Sequence, residues 1–160
     1  MFENDTDMTS DILIYNILNK SDDEFIRKCN LKFIDKSVPA QEDDTIYVAS
    51  IDLENRQETF DDTRYVALVN VYVKTKDTDY VQSSRFLRTV VKHIKYVLKH
   101  DEECRARNIR FRNIKYEYGS GYTLKGMHLL VQLFEVESDD DLDSSDCVRL
   151  IDDEFEIDVE

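Results

Sequence analysis

The chain of 160 residues has few of the residues that interrupt regular structure, with three glycines, one proline and no tryptophan. This scarcity excludes collagen-like repeats and long linkers rich in Gly and Pro. No run approaches the ~20 consecutive apolar residues that a membrane-spanning helix needs. The N-terminus is acidic, so it does not resemble the basic start of a signal peptide. We therefore expect cytoplasmic synthesis and no membrane partner.

Cysteines are also few, and their spacing is uninformative for ligation. Cys29, Cys104 and Cys147 are odd in number and far apart, and no CxxC pair occurs. Zinc knuckles and redox pairs both need closely paired cysteines. The sequence therefore predicts three free thiols in a reducing compartment.

Two short segments superficially match ligand-binding loops. Residues 119–121 read Gly-Ser-Gly, but no further glycine or GK[ST] follows, so a hairpin turn is predicted. The alternating aspartates at 139, 141 and 143 match the start of a calcium loop. The required glycine is missing, and the twelfth position is Leu150 instead of Glu. Neither segment predicts a binding site.

The three histidines do not form a metal-binding pattern. His93 and His100 are seven residues apart, which places them ~10 Å apart along a helix axis, too far to share one metal. His128 falls in a predicted strand with no evident partner. No serine, cysteine or zinc-dependent hydrolase motif is present either. We predict a protein that is not an enzyme, with no catalytic residue, no cofactor and no metal.

The formal net charge of −14 is concentrated at the C-terminus. Residues 135–160 contain thirteen acidic residues against Arg149 alone, a charge of −12, whereas residues 1–134 carry only −2. The acidic residues 138–146 have the composition of a solvated spacer. After them, Phe155, Ile157 and Val159 alternate with acidic residues, a strand pattern that could add to an exposed sheet edge. A solvated tail and a docking arm are both compatible with this composition.

Hydrophobic periodicity predicts a single α+β domain over residues 1–137, with residues 138–160 as an acidic C-terminal tail or docking arm. The expected order is helix, strand, strand, helix, strand, strand, and the four strands form a mixed sheet packed against the helices. The predicted helices cover residues 5–20 and 79–100, and the predicted strands cover residues 45–53, 63–76, 109–118 and 122–137. The polar residues 54–62 are predicted to form a connecting loop.

Local signals refine these boundaries. Ser21 and Glu24 fit a capping box, and Asp79 with Gln82 fits another. After the first box, the chain could form a helical turn through Asn30, or a strand beginning near Leu31. Alternation changes phase within residues 112–113, which predicts a β-bulge.

The predicted strand at 63–76 is apolar on both faces. One face carries Tyr65, Ala67, Val69, Val71 and Val73, and the other carries Val66, Leu68 and Tyr72. A strand of this kind needs cover on both sides of its sheet. Only one long amphipathic helix is available to supply it, so we expect another copy of the same chain to cover the second face.

That helix also carries a row of basic residues at spacings of three and four, namely Arg85, Arg88, Lys92, Lys95 and Lys99. They fall within an arc of ~80°, nearly opposite the apolar face. Four arginines prolong the positive region, at positions 105, 107, 110 and 112. The row could be a solvated helix face, a phosphate-contacting surface, or a docking site for an acidic protein surface such as the chain's own tail.

Over residues 9–137 the chain resembles phage tail terminator, or tail completion, proteins. The resemblance lies in the helix with Ile-Leu-Ile-Tyr-Asn-Ile-Leu at 12–18, the strand pair 46–51 and 65–73, the helix 79–100 and the closing hairpin 109–136. It implies a homohexameric ring that caps the tail tube, ends tail polymerisation and joins the tail to the head. The implied partners are further copies of the chain, the tail tube protein and a head-completion or connector protein. DNA would pass through such a ring without sequence-specific contact, and the protein would reside in the virion after synthesis in the host cytoplasm.

Two other functions remain open at this point. A neck or head-closure connector of the same particle would differ mainly in its neighbours, whereas an acidic regulator that mimics nucleic acid would need phosphate-like acidic spacing on a rigid body. The nearly neutral body argues against the second. The predicted interface residues are Val66, Leu68, Arg85, Arg88, Lys92, Lys95, Lys99, Phe155, Ile157 and Val159.

Overall fold

The computed structural model describes residues 8–34, 43–57 and 62–138. Its helices are α1 (Ser10–Lys20), α2 (Glu24–Arg27), α3 (Tyr80–Lys99) and α4 (Glu102–Ala106). Its strands are β1 (Asn30–Phe33), β2 (Thr45–Gln57), β3 (Asp62–Lys74), β4 (Arg110–Tyr118) and β5 (Leu124–Ser138). Among these residues, no helix is both long and apolar enough to cross a membrane.

The strands form one mixed sheet in the order β1-β2-β3-β5-β4. Only β1 and β2 are parallel, and every other neighbouring pair is antiparallel. The α+β class is confirmed, but the described residues form five strands instead of the predicted four. The extra strand is β1, which pairs Asn30 with Thr45 and Phe33 with Val48. Its four residues are too few for periodicity to separate a strand from a helical turn, and pairing with β2 decides the matter.

The helix starts depend on aspartates. Asp23, and not Ser21, caps α2, because its Oδ1 accepts from the amides of Phe25 and Ile26 at 2.9 and 3.1 Å. Asp79 caps α3 as predicted, with Oδ2 accepting from the Gln82 amide at 3.0 Å. Aspartate at this position satisfies amides that the first turn leaves without helical partners.

The central strands are longer than their apolar patterns suggest. The predicted loop at 54–62 is wrong for most of its length, since β2 continues to Gln57 and β3 begins at Asp62. Their ladder pairs residues from Thr45↔Lys74 to Gln57↔Thr63, with a bulge between Ser50 and Asp52. Polar residues are acceptable in this distal hairpin because their backbone groups are paired while side chains such as Glu54 are exposed.

All four helices contribute buried side chains to one core on one face of the sheet. This face includes Val69, Val71 and Val73 of β3, as the sequence predicts. From α3 the core receives Leu87, Val90, Val91, Ile94 and Leu98. The bulge predicted at residues 112–113 is confirmed between Phe111 and Asn113 of β4, and Gly119–Gly121 lie in the turn between β4 and β5.

Candidate functional site

The opposite face of the sheet is the first candidate surface, because none of the four described helices packs against it. Two predicted interface residues, Val66 and Leu68, lie on this face. Val66 lies on the predicted face but is only 4% exposed, so little of it is available for contact, whereas Leu68 is half-buried. Ile51, at the β2 bulge, is 57% exposed and is the most accessible large apolar residue among those that line this face.

An aromatic row crosses the middle of this open face. The strand register places Tyr47, Tyr72 and His128 side by side on β2, β3 and β5. Tyr47 and Tyr72 stack with centroids 6.1 Å apart, and Tyr72 and His128 stack at 4.2 Å. Such cross-strand aromatic neighbours are a main source of sheet stability. The row therefore makes this part of the face rigid.

Glu117 on β4 joins two members of the row through hydrogen bonds. The Tyr72 hydroxyl donates to Oε2 at 2.7 Å, and His128 Nε2 lies 3.0 Å from Oε1. On the other side of the ring, Asn70 Nδ2 lies 3.0 Å from His128 Nδ1. An imidazole tautomer that donates from Nε2 to Glu117 and accepts from Asn70 at Nδ1 satisfies both contacts of the ring.

This network changes the pKa values of Glu117 and Tyr72. Burial acts to raise the pKa of Glu117, but hydrogen bonds from His128 and Tyr72 outweigh it, and the pKa of this carboxyl is lowered. Burial and the neighbouring Glu117 raise the pKa of Tyr72. The arrangement therefore favours a phenol that donates to a carboxylate, which suits a fixed polar patch better than a proton-transfer centre.

Gly126 makes the Tyr72–Glu117 contact possible. It lies in β5 between Lys74 of β3 and Glu117 of β4. A Cβ at this position would come within 2.7 Å of the Tyr72 hydroxyl oxygen and 2.6 Å of the Val73 carbonyl oxygen. Glycine leaves the space through which the tyrosine reaches across β5.

A concavity of about 480 Å³ lies beside this network. Ile51 and Leu130 give it apolar walls, and Asn113, Lys115 and His128 add polar groups. The sequence pattern indicates no partner for His128, but the register of the short β4–β5 hairpin brings it to Glu117. Counting outward from a turn at residues 119–121 would place His128 opposite residue 112, so the sequence gives no signal for this pair; the longer turn and the register shift at Glu117 and Tyr118 decide it.

The basic row on α3 is the second candidate surface, and it lies beside β4 instead of opposite the core. Lys95 Nζ lies 5.5 Å from the centre of the Phe111 ring, and Arg88 Cζ lies 5.6 Å from the centre of the Tyr116 ring. Both aromatic residues pack against the edge of the core. The cations are therefore held over the α3–β4 boundary by cation–π contacts.

Arg107 does not belong to this basic surface, contrary to the sequence prediction. It is only 7% exposed, with Nε 2.9 Å from Glu103 Oε2 and Nη1 3.3 Å from Ser10 Oγ. Next to it, Glu135 accepts a hydrogen bond from the Ser10 amide at 2.8 Å. Arg107 thus connects α4 to the start of α1 as a structural residue.

A groove of about 940 Å³ runs along the α3–β4 boundary. Its cationic lining comes from Lys92, Lys95, Lys99, Arg110 and Arg112. Tyr96, Ile109 and Phe111 add apolar surface, and the lining also reaches His93 and Asp23. Arg85 and Arg88 extend the basic row along α3 beyond this groove.

Within the described residues, no group of three or more His, Cys, Asp or Glu side chains could hold a metal ion. His93 instead pairs with Asp23, its Nδ1 lying 2.6 Å from Oδ2. No family model matches the chain, and a search of curated proteins found no significant match. The predicted docking residues Phe155, Ile157 and Val159 lie outside the described residues, as do the aspartates at 139, 141 and 143 and Cys147.

Proposed function

We propose that this protein is a structural virion component, a phage tail terminator that forms a closed ring of identical copies at the end of the tail tube. The observation that carries the proposal is the sheet whose four described helices all pack on the same face. The proposed ring ends tail polymerisation and presents a surface to the head-completion protein. Its stoichiometry of six, and the phage context itself, come from the resemblance in the sequence.

The composition of the open face suits a protein–protein interface. Ile51, Leu68 and Leu130 supply apolar surface beside the aromatic row, and Asn113 and Lys115 supply hydrogen-bonding groups at its side. Apolar side chains surrounded by polar groups are typical of interface centres. Tyr47 and Tyr72 are only 4% and 9% exposed, so they support this surface from below and the apolar side chains beside them make the contact. Identical copies joined head to tail through such a face close into a ring when the rotation between them is a fraction of a full turn.

The test places a charge at the most accessible apolar position on the open face. Ile51→Asp should prevent ring formation, because an unpaired carboxylate in an interface costs several kcal/mol, while the monomer keeps its fold because Ile51 is already 57% exposed. Native mass spectrometry measures the oligomer, and circular dichroism measures the fold. The unsubstituted protein should be measured both alone and on purified tail tubes.

A matched control is available two positions further along the same strand. Leu53 is 50% exposed, but it pairs with Ala67 and so lies on the side of the sheet that carries the helices. Leu53→Asp should leave the ring intact. If Leu53→Asp breaks the ring and Ile51→Asp does not, the interface lies on the side that carries the helices, and the proposed interface is contradicted.

Position in the particle tests the proposed function itself. Electron cryomicroscopy of the native particle should show a ring of this chain in direct contact with the last ring of tail tube subunits. A position only at the portal or head side would identify a head-closure connector. A single copy or a dimer in the particle would contradict the terminator proposal.

A further inference from the structure

The basic surface beside β4 contains more positive charge than the described residues around it neutralise. In the described part of the chain, none of its cations forms an ion pair with an Asp or Glu, and the residues concerned are Arg85, Arg88, Lys92, Lys95, Lys99, Arg110 and Arg112. Like charges at this density repel one another. An anionic partner would remove that repulsion.

The groove selects for more than negative charge. Ile109, Phe111 and Tyr96 line it together with the cations. A nucleic acid backbone would use the cations but leave Ile109 without a matching apolar group. An extended peptide with acidic side chains on one side and apolar side chains on the other would use both parts of the lining.

Such a peptide is present in this chain. Residues 154–160 alternate four acidic residues with Phe155, Ile157 and Val159. We propose that this C-terminal segment occupies the α3–β4 groove, with its apolar side chains against Ile109 and Phe111 and its carboxylates against the lysines of α3. The proposal does not depend on the ring.

The connecting chain is long enough for this contact. Gln132 pairs with Arg110 at the groove, and β5 ends six residues later at Ser138, roughly 20 Å away at ~3.3 Å per strand residue. Residues 139–153 then provide fifteen residues, which span up to about 50 Å when extended. The segment can therefore return to the groove of its own chain.

Also, β4 is an edge strand of the sheet, paired only with β5 among the described strands. Its outer backbone groups next to the groove can receive an extended segment. The bulge at residues 111–113 limits regular pairing at that point. Side-chain contacts in the groove must therefore supply most of the binding.

Because the chain has no tryptophan, a single introduced tryptophan is a specific fluorescent reporter of its own position. In full-length Phe155→Trp, the single tryptophan should emit at shorter wavelength, and be quenched less by acrylamide, than in a free peptide of residues 150–160 with the same substitution. Adding Lys92→Glu and Lys99→Glu, both at exposed positions, should shift the emission to that of the peptide. Salt at 1 M should shift it in the same direction, since screening shortens the range of the attraction to ~3 Å.

The matched control reverses the charge of two lysines that lie away from the groove. Lys20 at the end of α1 and Lys76 in the segment between β3 and α3 are both exposed, so Lys20→Glu with Lys76→Glu makes the same change in net charge. This control should leave the emission of the introduced tryptophan unchanged. An equal response in both double variants would show a general charge effect and contradict the proposal.

Amide hydrogen exchange on the unsubstituted full-length protein removes any dependence on the reporter. Protection at residues 154–160 that the Lys92→Glu, Lys99→Glu variant abolishes would support docking. Exchange at random-coil rates in the unsubstituted protein would overturn it. The proposal also fails if duplex DNA binds through these lysines without changing exchange in the segment, because the groove would then serve phosphates.

Discussion

At the scale of single residues, Gly126 shows how one missing side chain positions a polar network. Gly126→Ala should lower the free energy of unfolding by roughly 1–3 kcal/mol, because its Cβ would press against the Val73 carbonyl oxygen and the Tyr72 ring. Denaturant unfolding measures the loss. Ordinary strand propensity predicts the opposite sign, since alanine is better than glycine within a strand.

Gly119→Ala is the control for this substitution. There the three atoms nearest the added Cβ all belong to the side chain of Lys125, which can move aside, and the backbone is extended with φ −97°. Its effect on stability should be within about 0.5 kcal/mol, as for most surface changes. Equal losses for both variants would show that the contact over Gly126 is unimportant.

Asp23 makes the stability of the helix layer depend on pH. It caps α2 and also contacts His93 of α3. Burial acts to raise its pKa, but the hydrogen bonds from His93 and the α2 amides prevail, and the pKa of Asp23 is lowered. A lowered pKa means that stabilisation is complete above the unfolded-state pKa of about 4 and is lost as the pH falls through the lower folded-state value.

Asp23→Asn should therefore cost about 1 kcal/mol at pH 7 and should flatten the decline of stability below pH 4. Asparagine retains a capping oxygen, so the lost part is the charge-assisted contact with His93. Unfolding free energies measured from pH 7 to pH 2.5 provide the readout. Asp22→Asn, at a neighbouring and almost fully exposed side chain, should change neither the value nor the slope.

At the scale of elements, α3 presents one apolar face to the core and places its cations and His93 beside different neighbouring elements. Its core face follows the periodicity in the sequence, and its Asp79 cap is where the sequence predicts it. The placement of its cations beside β4 was not predicted, because a helical wheel gives angles around the axis but not the neighbour on each side. The same applies to His93, whose partner belongs to another helix.

For the strands, the sequence pattern underestimates how far each element extends. Residues 54–57 are polar and were predicted as a loop, yet they extend β2. Residues 54–57 pair with β3, and the backbone hydrogen bonds of this pairing outweigh the weak strand propensity of these polar residues. For β1, four residues are too short for any pattern, and its parallel partner begins twelve residues after β1 ends.

At the scale of the whole molecule, the reactivity of the cysteines tests the predicted absence of disulfide bonds. Cys29 and Cys104 are free, and burial raises the pKa of the Cys29 thiol to about 12 and also raises that of Cys104. Both thiols should therefore react slowly in the native protein, because the thiolate is the reactive form. Titration with a thiol reagent in denaturant, without reductant, should find three thiols per chain.

The native protein is its own control in this measurement. Rapid reaction of Cys104 before unfolding would contradict the buried position of this residue in α4. A count of one thiol in denaturant would reveal a disulfide and would overturn the predicted reducing compartment. Mass spectrometry after alkylation assigns the reacting positions.

The sequence by itself determined the α+β class, the long amphipathic helix, the two-faced central strand and the closing hairpin with its bulge. These features arise from contacts between near neighbours in the chain or from alternation along one element, so local patterns are sufficient to reveal them. The accumulation of negative charge after residue 134 is likewise a property of composition alone.

Only the tertiary structure decided which side chains meet. The strand register aligned Tyr47, Tyr72 and His128, buried Val66 and left Ile51 exposed. Packing of α3 against β5 placed its lysines along β4, the edge strand of the described sheet. These outcomes depend on pairings between residues far apart in sequence, and the pattern of a single segment contains no information about which distant segment will lie beside it.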